Sequence, residues 1–252
     1  MSEATVERRS GLLNVVDVIV SPGTAFARLR LVPTWGWAFL VASLMAIAGS
    51  LLMEPAMLHV MDKTLPAQMA AQDATAIPKW AQMSADDQAK TIANQVAFGK
   101  TFARFSWVIM PFALLVGGLI QALVMLIANA VGRGDGTFRK YFALSLTVGV
   151  VGYGLASLLL GLIVLLRGPG GFESLGSLQG AVPSLALLVP GAHGALGGFL
   201  SAVNVFSVWA AALLALGMTI VGRVPRGVAW ATAVVLVLLS ASFAAFGAAR
   251  QG

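Results

Sequence analysis

Few side chains in this sequence have types and spacing that could support chemistry. The chain has no cysteine and two histidines, His59 and His193. Neither histidine has a second one nearby, so the sequence gives no zinc-type ligand pair. No nucleophile-elbow, zinc-protease or Walker lysine motif is present. We therefore expect a protein that is not an enzyme and that uses no cofactor or metal ion.

One glycine-rich segment could be imagined to hold a phosphate. It is Gly132-Arg133-Gly134-Asp135-Gly136, whose backbone amides could in principle surround an anion. Glycine-rich polar segments between long apolar runs are more often turns. We interpret residues 132–136 as a flexible cytoplasmic turn between two membrane spans.

The composition indicates whether the protein is soluble or lies in a membrane. Hydrophobic residues make up 58% of the chain and charged residues 10%, and the mean hydropathy is +0.88. An ordinary soluble domain has about 25% charged residues, so this composition indicates an integral membrane protein. The net charge of +6 suits contact with anionic lipid headgroups. No basic cluster with interleaved aromatic residues is present, so we expect no nucleic-acid partner.

Charge-free runs predict the spans. A helix needs about 20 largely uncharged residues to cross the hydrocarbon. We predict an all-α integral membrane protein with five transmembrane helices, at about residues 35–53, 105–131, 141–166, 204–222 and 227–249. Residues 174–203 are also uncharged but are interrupted by proline and glycine, which favours a re-entrant or interfacial segment. A sixth, proline-kinked span is the alternative for this segment.

The distribution of charge predicts the orientation. With five spans, the N-terminal side carries nine basic and four acidic residues, and the opposite side carries seven basic and six acidic residues. The positive-inside rule then places the N-terminus in the cytoplasm and the C-terminus outside. Residues 1–34 form a cytoplasmic arm and residues 35–252 a membrane domain. Within that domain, residues 55–104 form an extracytoplasmic helical loop whose last helix begins near Ala85.

The cytoplasmic arm has the pattern of an amphipathic helix on the membrane surface. Apolar residues recur at helical spacing between Leu12 and Val20. Ser21 and Pro22 predict the start of a second short helix, because serine is a frequent N-cap and proline fits the first helical turn. Phe26 and Arg28 follow on that helix. We expect the arm to anchor the first span or to bind a partner.

Small and polar residues within the spans are candidates for helix packing or partner binding. Glycine lets helices approach closely, and polar side chains can bond across helices. Whether the partner helix belongs to this chain or to another is left open. The candidates, with the arm residues, are Pro22, Phe26, Arg28, Gly117, Gly118, Gln121, Gly149, Gly152, Tyr153, Asn204 and Trp209. We expect Gly149 and Tyr153 to share the face through which the third span makes its tightest contact.

Several short motifs resemble the Yip1 family, particularly its bacterial members. Residues 21–30, Ser-Pro-Gly-Thr-Ala-Phe-Ala-Arg-Leu-Arg, are similar to the family's opening motif. Residues 134–141, Gly-Asp-Gly-Thr-Phe-Arg-Lys-Tyr, resemble its loop before the third span. Residues 204–209, Asn-Val-Phe-Ser-Val-Trp, resemble the start of its fourth span. The five-helix layout is similar as well.

The resemblance implies a non-enzymatic scaffold in a bacterial inner membrane. Bacterial members of the family include accessory subunits found with MacAB-type ABC exporters. The resemblance therefore implies that this chain binds and assists another integral membrane protein, with such an exporter as the favoured partner. The long N-terminal domain of the eukaryotic relatives is missing, so their GTPase partner is not implied. A small channel or facilitator that acts as a homo-oligomer is the alternative, because no charged residue lies inside a predicted span and such a pore would need none.

Overall fold

The computed structural model describes residues 3–76 and 80–249, and most of these residues are helical. Short 3₁₀ turns occur at Trp80–Gln82, Pro169–Gly171 and Leu185–Leu188. The helices are α1 (Glu3–Val20), α2 (Pro22–Leu31), α3 (Gly36–Ala76), α4 (Ala85–Val131), α5 (Phe138–Gly149), α6 (Ala156–Arg167), α7 (Leu175–Gln179), α8 (Gly194–Ala202), α9 (Val205–Val221) and α10 (Arg226–Ala249).

Four helical stretches are long and apolar enough to cross a membrane. They are Gly36–Ala70, Ala85–Val131, Phe138–Arg167 and Arg226–Ala249. The described chain is therefore an all-helical membrane protein, as predicted. The fifth predicted span, at 204–222, corresponds to α9, which is apolar but has 17 residues, the short end of the range that can span.

The first span is longer than the sequence predicts. Its predicted end lies near residue 53, before Glu54 and Pro55, but α3 continues through Pro55 and Pro66 to Ala76. A proline inside a helix costs roughly 3 kcal/mol relative to alanine. Packing of α3 along both α4 and α6 offsets that cost, and sequence spacing alone did not reveal this packing.

The start of α4 agrees with its sequence signal. Ser84 precedes the helix, and its hydroxyl accepts a hydrogen bond from the backbone N–H of Asp87 at 3.2 Å. Asp86 and Asp87 lie in the first turn, where carboxylates favour the positive end of the helix. The helix then runs for 47 residues, past Pro111, into the membrane segment.

Together α3 and α4 make a long antiparallel hairpin, so residues 55–104 are an extension of two spans rather than a loop between them. With 41 and 47 residues, the helices are about 60 and 70 Å long at 1.5 Å per residue, twice the thickness of the hydrocarbon. Lys100 on α4 forms an ion pair with Asp62 on α3. We call the part beyond the apolar runs, residues 55–76 and 80–104, the projecting hairpin.

The third predicted span is helical from Phe138 to Arg167, but it is not a regular α-helix throughout. Val150–Leu155 form a π-helical turn between α5 and α6. Such a turn holds an extra residue and changes which side chains share a face. The faces of this span therefore differ from those that a regular helical period predicts.

Residues 174–203 contain no helix of spanning length. The described segment has only α7, a 3₁₀ turn and the nine-residue α8, and a single antiparallel bridge joins Ser184 to Asn204. Helix α8 packs on α10, where Gly198 lies against the backbone of Ala244. A sixth span is therefore wrong for this segment, because the prolines and glycines divide it into pieces that are too short.

The helices pack around two clusters at opposite ends of the bundle. Phe26, Leu29, Tyr141 and Met218 belong to the larger cluster, near the turns that join α4 to α5 and α9 to α10. Phe172 is the largest member of the smaller cluster, which joins α3, α6 and the following segment. We call these ends the turn side and the hairpin side.

Candidate functional site

Two similar turns meet on the turn side. Helix α4 ends at Val131 and is followed by Gly132 and Arg133, while α9 ends at Val221 and is followed by Gly222 and Arg223. Both arginines have positive φ, 52° and 51°, a conformation that non-glycine residues seldom adopt. The backbone N–H of Asp135 donates to the Gly222 carbonyl at 2.8 Å, so the turns are joined directly. No repeat was evident from the sequence, because only Val-Gly-Arg is shared.

Asn129 holds the first turn in place. Its buried side chain accepts hydrogen bonds from the Gly136 N–H at 3.0 Å and from the Tyr141 hydroxyl at 2.7 Å. Its amide donates to the Gly134 carbonyl at 3.2 Å. Gly136 itself lies against the Tyr141 ring, where no larger side chain would fit. The expectation of a flexible turn at 132–136 is therefore replaced by a turn with fixed geometry.

The charge on the turn side is mostly positive. Asp135 lies 3.5 Å from Arg223 and 3.9 Å from Arg30, so one carboxylate serves two guanidinium groups. Further basic residues, with no carboxylate partner among the side chains that the structure describes, follow on the same turns and helix starts: Arg133, Arg139, Lys140 and Arg226. The arrangement suits an anionic surface such as lipid headgroups.

Polar residues join the two helices of the N-terminal arm, residues 1–34, to each other. Arg28 on α2 donates to Asn14 of α1 at 2.9 Å and pairs with Asp17. Pro22 occupies the first turn of α2, as predicted, but Ser21 makes no side-chain cap to the backbone. Phe26 is fully buried.

The outward face of α1 is apolar. Leu12, Leu13, Val16 and Val20 are exposed, whereas Asn14 is buried. We expected the polar side chains of α1 to face water. Asn14 instead faces inward, where it contacts Arg28. An apolar outward face can lie only in lipid or against another protein.

A cavity of about 230 Å³ lies among α4, α5, α9 and α10, halfway along the apolar segments. It collects six of the residues singled out from the sequence: Gly117, Gly118, Gln121, Gly149, Gly152 and Tyr153. None of the described residues that line it is charged. These residues were predicted as packing positions on two different spans, and they line the same cavity.

The glycines at this cavity are not equivalent. A Cβ atom on Gly149 would lie 2.9 Å from Leu114 Cδ1, and one on Gly152 would lie 2.8 Å from Ala210 Cβ. A Cβ atom on Gly117 would have no neighbour within 4 Å. The Tyr153 hydroxyl donates to the Met110 carbonyl at 3.1 Å, so this tyrosine joins the third span to α4.

The tightest contact of the third span lies on another face than predicted. A Cβ atom on Gly161 would lie 2.6 Å from the carbonyl oxygen of Gly49, and one on Gly154 would lie 2.9 Å from the Ala42 Cα atom. Both meet the backbone of α3, whereas Gly149 and Gly152 meet side chains. Gly154 and Gly161 lie on another face than Gly149 and Tyr153, so the expectation for Gly149 and Tyr153 is wrong.

One residue at the cavity was not found from the sequence. Ser145 is 2% exposed and lines the cavity, yet its hydroxyl has no hydrogen-bond partner among the described residues. A serine inside an apolar helix usually bonds to a carbonyl one turn earlier, as Thr147 does with Ala143. The residue type alone therefore does not mark Ser145 as a site residue, because the hydroxyls of Ser145 and Thr147 differ only in their surroundings.

A larger cavity of about 860 Å³ opens on the hairpin side. Ala202 lines both cavities, so the two adjoin. Asn204 lines the larger one and also caps α9, accepting from the N–H groups of Phe206 and Ser207 at 3.0 and 3.1 Å. Trp209 is half-buried against the larger cluster, which makes it a packing residue in this structure.

The histidines remain apart. His59 lies on α3 in the projecting hairpin, and His193 precedes α8 and lines the larger cavity. Asp62 follows His59 by one turn, but its carboxylate pairs with Lys100. No group of three metal-binding side chains occurs among the residues that the structure describes.

The fold and sequence together define a helical, multi-pass membrane protein. The chain is similar to "Membrane protein YknW" of Bacillus subtilis (strain 168), with 25% identity over 253 residues, which cover 97% of this chain and 95% of that relative. No family model matches the chain. No solved structure matches it either. The relative supports a membrane protein of this length and leaves the function open.

Proposed function

We propose that this chain is a non-enzymatic scaffold or accessory subunit of a bacterial inner membrane, related to the Yip1 family, that binds and assists another integral membrane protein. The projecting hairpin carries the proposal. It extends two membrane helices well past their apolar runs and is held by the Lys100–Asp62 ion pair. A structure of this kind offers a second protein a firm contact surface outside the bilayer.

The hairpin carries exposed aromatic residues near its junction with the membrane segment. Phe98 is 74% exposed and Phe102 is 57% exposed, and they lie one turn apart on α4. Large aromatic side chains contribute strongly to protein interfaces. Lys100 lies on the opposite side of α4, where it pairs with Asp62 of α3, so the two phenylalanines face away from α3. An ABC exporter of the MacAB type is the partner that the family resemblance favours.

Five spans and a cytoplasmic N-terminus complete the proposal. We take α9 as the fifth span because it runs antiparallel to α10 through a turn that is joined to the α4–α5 turn. The basic residues of both turns then lie in the cytoplasm. A reporter enzyme fused after Gly252 should be active only outside the cytoplasm. Cytoplasmic activity would contradict this topology.

Purification in mild detergent, with mass spectrometry of the proteins that co-elute, tests the scaffold function. The parent chain should retain one integral membrane protein reproducibly. The Phe98→Ser/Phe102→Ser variant should lose most of it, while Lys90→Ala, on the exposed part of the same helix, should retain it. If the parent is recovered alone and deletion of the chain leaves exporter assembly unchanged, the scaffold function is wrong.

The adjoining cavities favour a channel or facilitator as the second candidate. They extend from the hairpin side to the middle of the bundle, and the Asn129 network lies beyond them on the turn side. Flux of small uncharged solutes into proteoliposomes made with the pure protein distinguishes the two functions. Passage of solute by the pure chain would support the facilitator and count against a role that needs a partner.

A further inference from the structure

The 230 Å³ cavity combines features that a ligand site requires and a packing defect lacks. Polar side chains from four helices line it, namely Gln121 of α4, Ser145 of α5, Ser207 of α9 and Ser240 of α10, together with Tyr153. Apolar side chains, among them Leu114 and Leu236, make up much of the remaining wall. Empty cavities in proteins are typically apolar throughout, so the convergence of polar groups needs another explanation.

Ser145 gives the strongest indication. It is 2% exposed and its hydroxyl has no partner within the described chain. Among the apolar segments of a membrane protein, an unsatisfied polar group is costly. A bound molecule that carries a hydrogen-bonding group would remove this cost.

The walls and the volume restrict the class of molecule. None of the described lining residues is charged, so an ion would lose its hydration without compensation. A cavity of 150 Å³ accommodates benzene, and on that scale about 230 Å³ accommodates about nine non-hydrogen atoms. The larger cavity, which shares Ala202, adjoins it on the hairpin side.

We propose that the cavity between α4, α5, α9 and α10 is a binding site for a small, uncharged, amphipathic molecule that hydrogen-bonds to Ser145. The apolar wall receives the body of the molecule, and Ser145, Gln121 and Ser240 receive its polar group. The site does not depend on the proposed membrane partner, because every group that forms it belongs to this chain.

The absence of cysteine from the chain permits a specific test in proteoliposomes. The Ser145→Cys variant introduces one thiol at the cavity, and Ser43→Cys is the matched control. Ser43 is also buried and its hydroxyl also lacks a partner, but it does not line this cavity. The probe is N-ethylmaleimide, an uncharged thiol reagent whose size suits the cavity.

The thiol of the Ser145→Cys variant should react at least tenfold faster than that of Ser43→Cys. Benzyl alcohol should slow the reaction several-fold, and ethylbenzene, which has the same shape but no hydroxyl, should slow it much less. Equal rates at the two positions would overturn the proposal. Equal slowing by the two competitors would show an apolar void and would also overturn the proposal. An absence of reaction at the Ser145→Cys thiol would overturn it as well.

A second measurement avoids the introduced thiol. Benzyl alcohol should raise the thermal unfolding temperature of the parent and of Ser43→Ala relative to ethylbenzene. It should give no such difference for Ser145→Ala, which retains the cavity and loses only the hydroxyl. The same difference in all three proteins would overturn the role of Ser145. The amount of membrane partner that co-purifies with Ser145→Ala should equal the amount that co-purifies with the parent. This measurement tests the scaffold function separately from ligand binding.

Discussion

Two glycine-containing interfaces of this bundle look alike in the sequence and differ in the structure. Between α3 and α6, Gly49 and Gly161 bring two backbones into direct contact. Between α4 and α10, Gly117 faces open space and a cavity persists. A glycine in a membrane helix permits close approach, but it does not supply the neighbour. The first interface is filled by this chain, and the second is available to something else.

The comparison predicts its largest effect at the filled interface. Gly161→Ala would place a Cβ atom 2.6 Å from the Gly49 carbonyl oxygen and 2.8 Å from its Cα atom. Backbone atoms cannot rotate away, so the helices must separate. We expect a loss of about 3 kcal/mol in unfolding free energy, the upper end of the usual cost of overpacking. Thermal unfolding in detergent, followed by circular dichroism, measures it, and an unchanged transition would contradict the packing.

The next effect concerns the hydrogen bonds of Asn129 at the turn side of the bundle. Asn129 fixes the α4–α5 turn, which is joined in turn to the α9–α10 turn. Asn129→Ala leaves the Gly136 N–H and the Tyr141 hydroxyl without their acceptor. We expect a loss of about 2 to 3 kcal/mol, since each buried unsatisfied group costs about 1 to 3 kcal/mol.

Tyr141→Phe is a milder variant of the same network, and it serves as the control for Asn129→Ala in the same unfolding experiment. It removes one of the hydrogen bonds to Asn129 and should cost about 1 kcal/mol. If both variants unfold like the parent, the network does not hold the turn. If Tyr141→Phe costs as much as Asn129→Ala, the stability comes from the phenol rather than from the amide.

A smaller effect is expected beside the cavity. Gly149→Leu must displace the end of the Leu114 side chain, which lies 2.9 Å from the added Cβ atom. A side chain can rotate where a backbone cannot, so we expect a loss of about 1 to 2 kcal/mol. Leu159→Ala, at an exposed position, should cost less, because lipid is as apolar as leucine. A larger loss for Leu159→Ala would place that residue in a protein contact.

The sequence predicts what depends on neighbours along the chain. The five apolar helical segments, the start of α4 after Ser84 and the proline in the first turn of α2 all follow from local residue types. The six residues that meet at the cavity were chosen for their chemistry alone. Their convergence could not be derived, because it depends on how α4 and α5 pack.

Contacts between segments that are distant in the sequence account for the differences between the predicted and the observed structure. Helix α3 continues beyond Pro55 because α4 and α6 pack along it. Asn129 and Ser145 are unremarkable in sequence, and only tertiary structure gives one a full set of partners and the other none. Gly154 and Gly161 meet the backbone of α3, and their residue types do not show which helix packs against them.

The smallest predicted effect has the opposite sign and is the sharpest test of the comparison. Gly117→Ala makes the same chemical change as Gly161→Ala, in a helix of the same bundle, but its Cβ atom meets nothing within 4 Å. Alanine is favoured over glycine within a helix by about 0.5 to 1 kcal/mol. We therefore expect Gly117→Ala to raise the unfolding free energy of the purified chain by that amount, in the detergent experiment used for Gly161→Ala. Because the surface is open, the gain should persist when the chain is alone. A loss of stability comparable to that of Gly161→Ala would mean that Gly117 is packed against a second copy, and the contrast between a filled and an open interface would then fail.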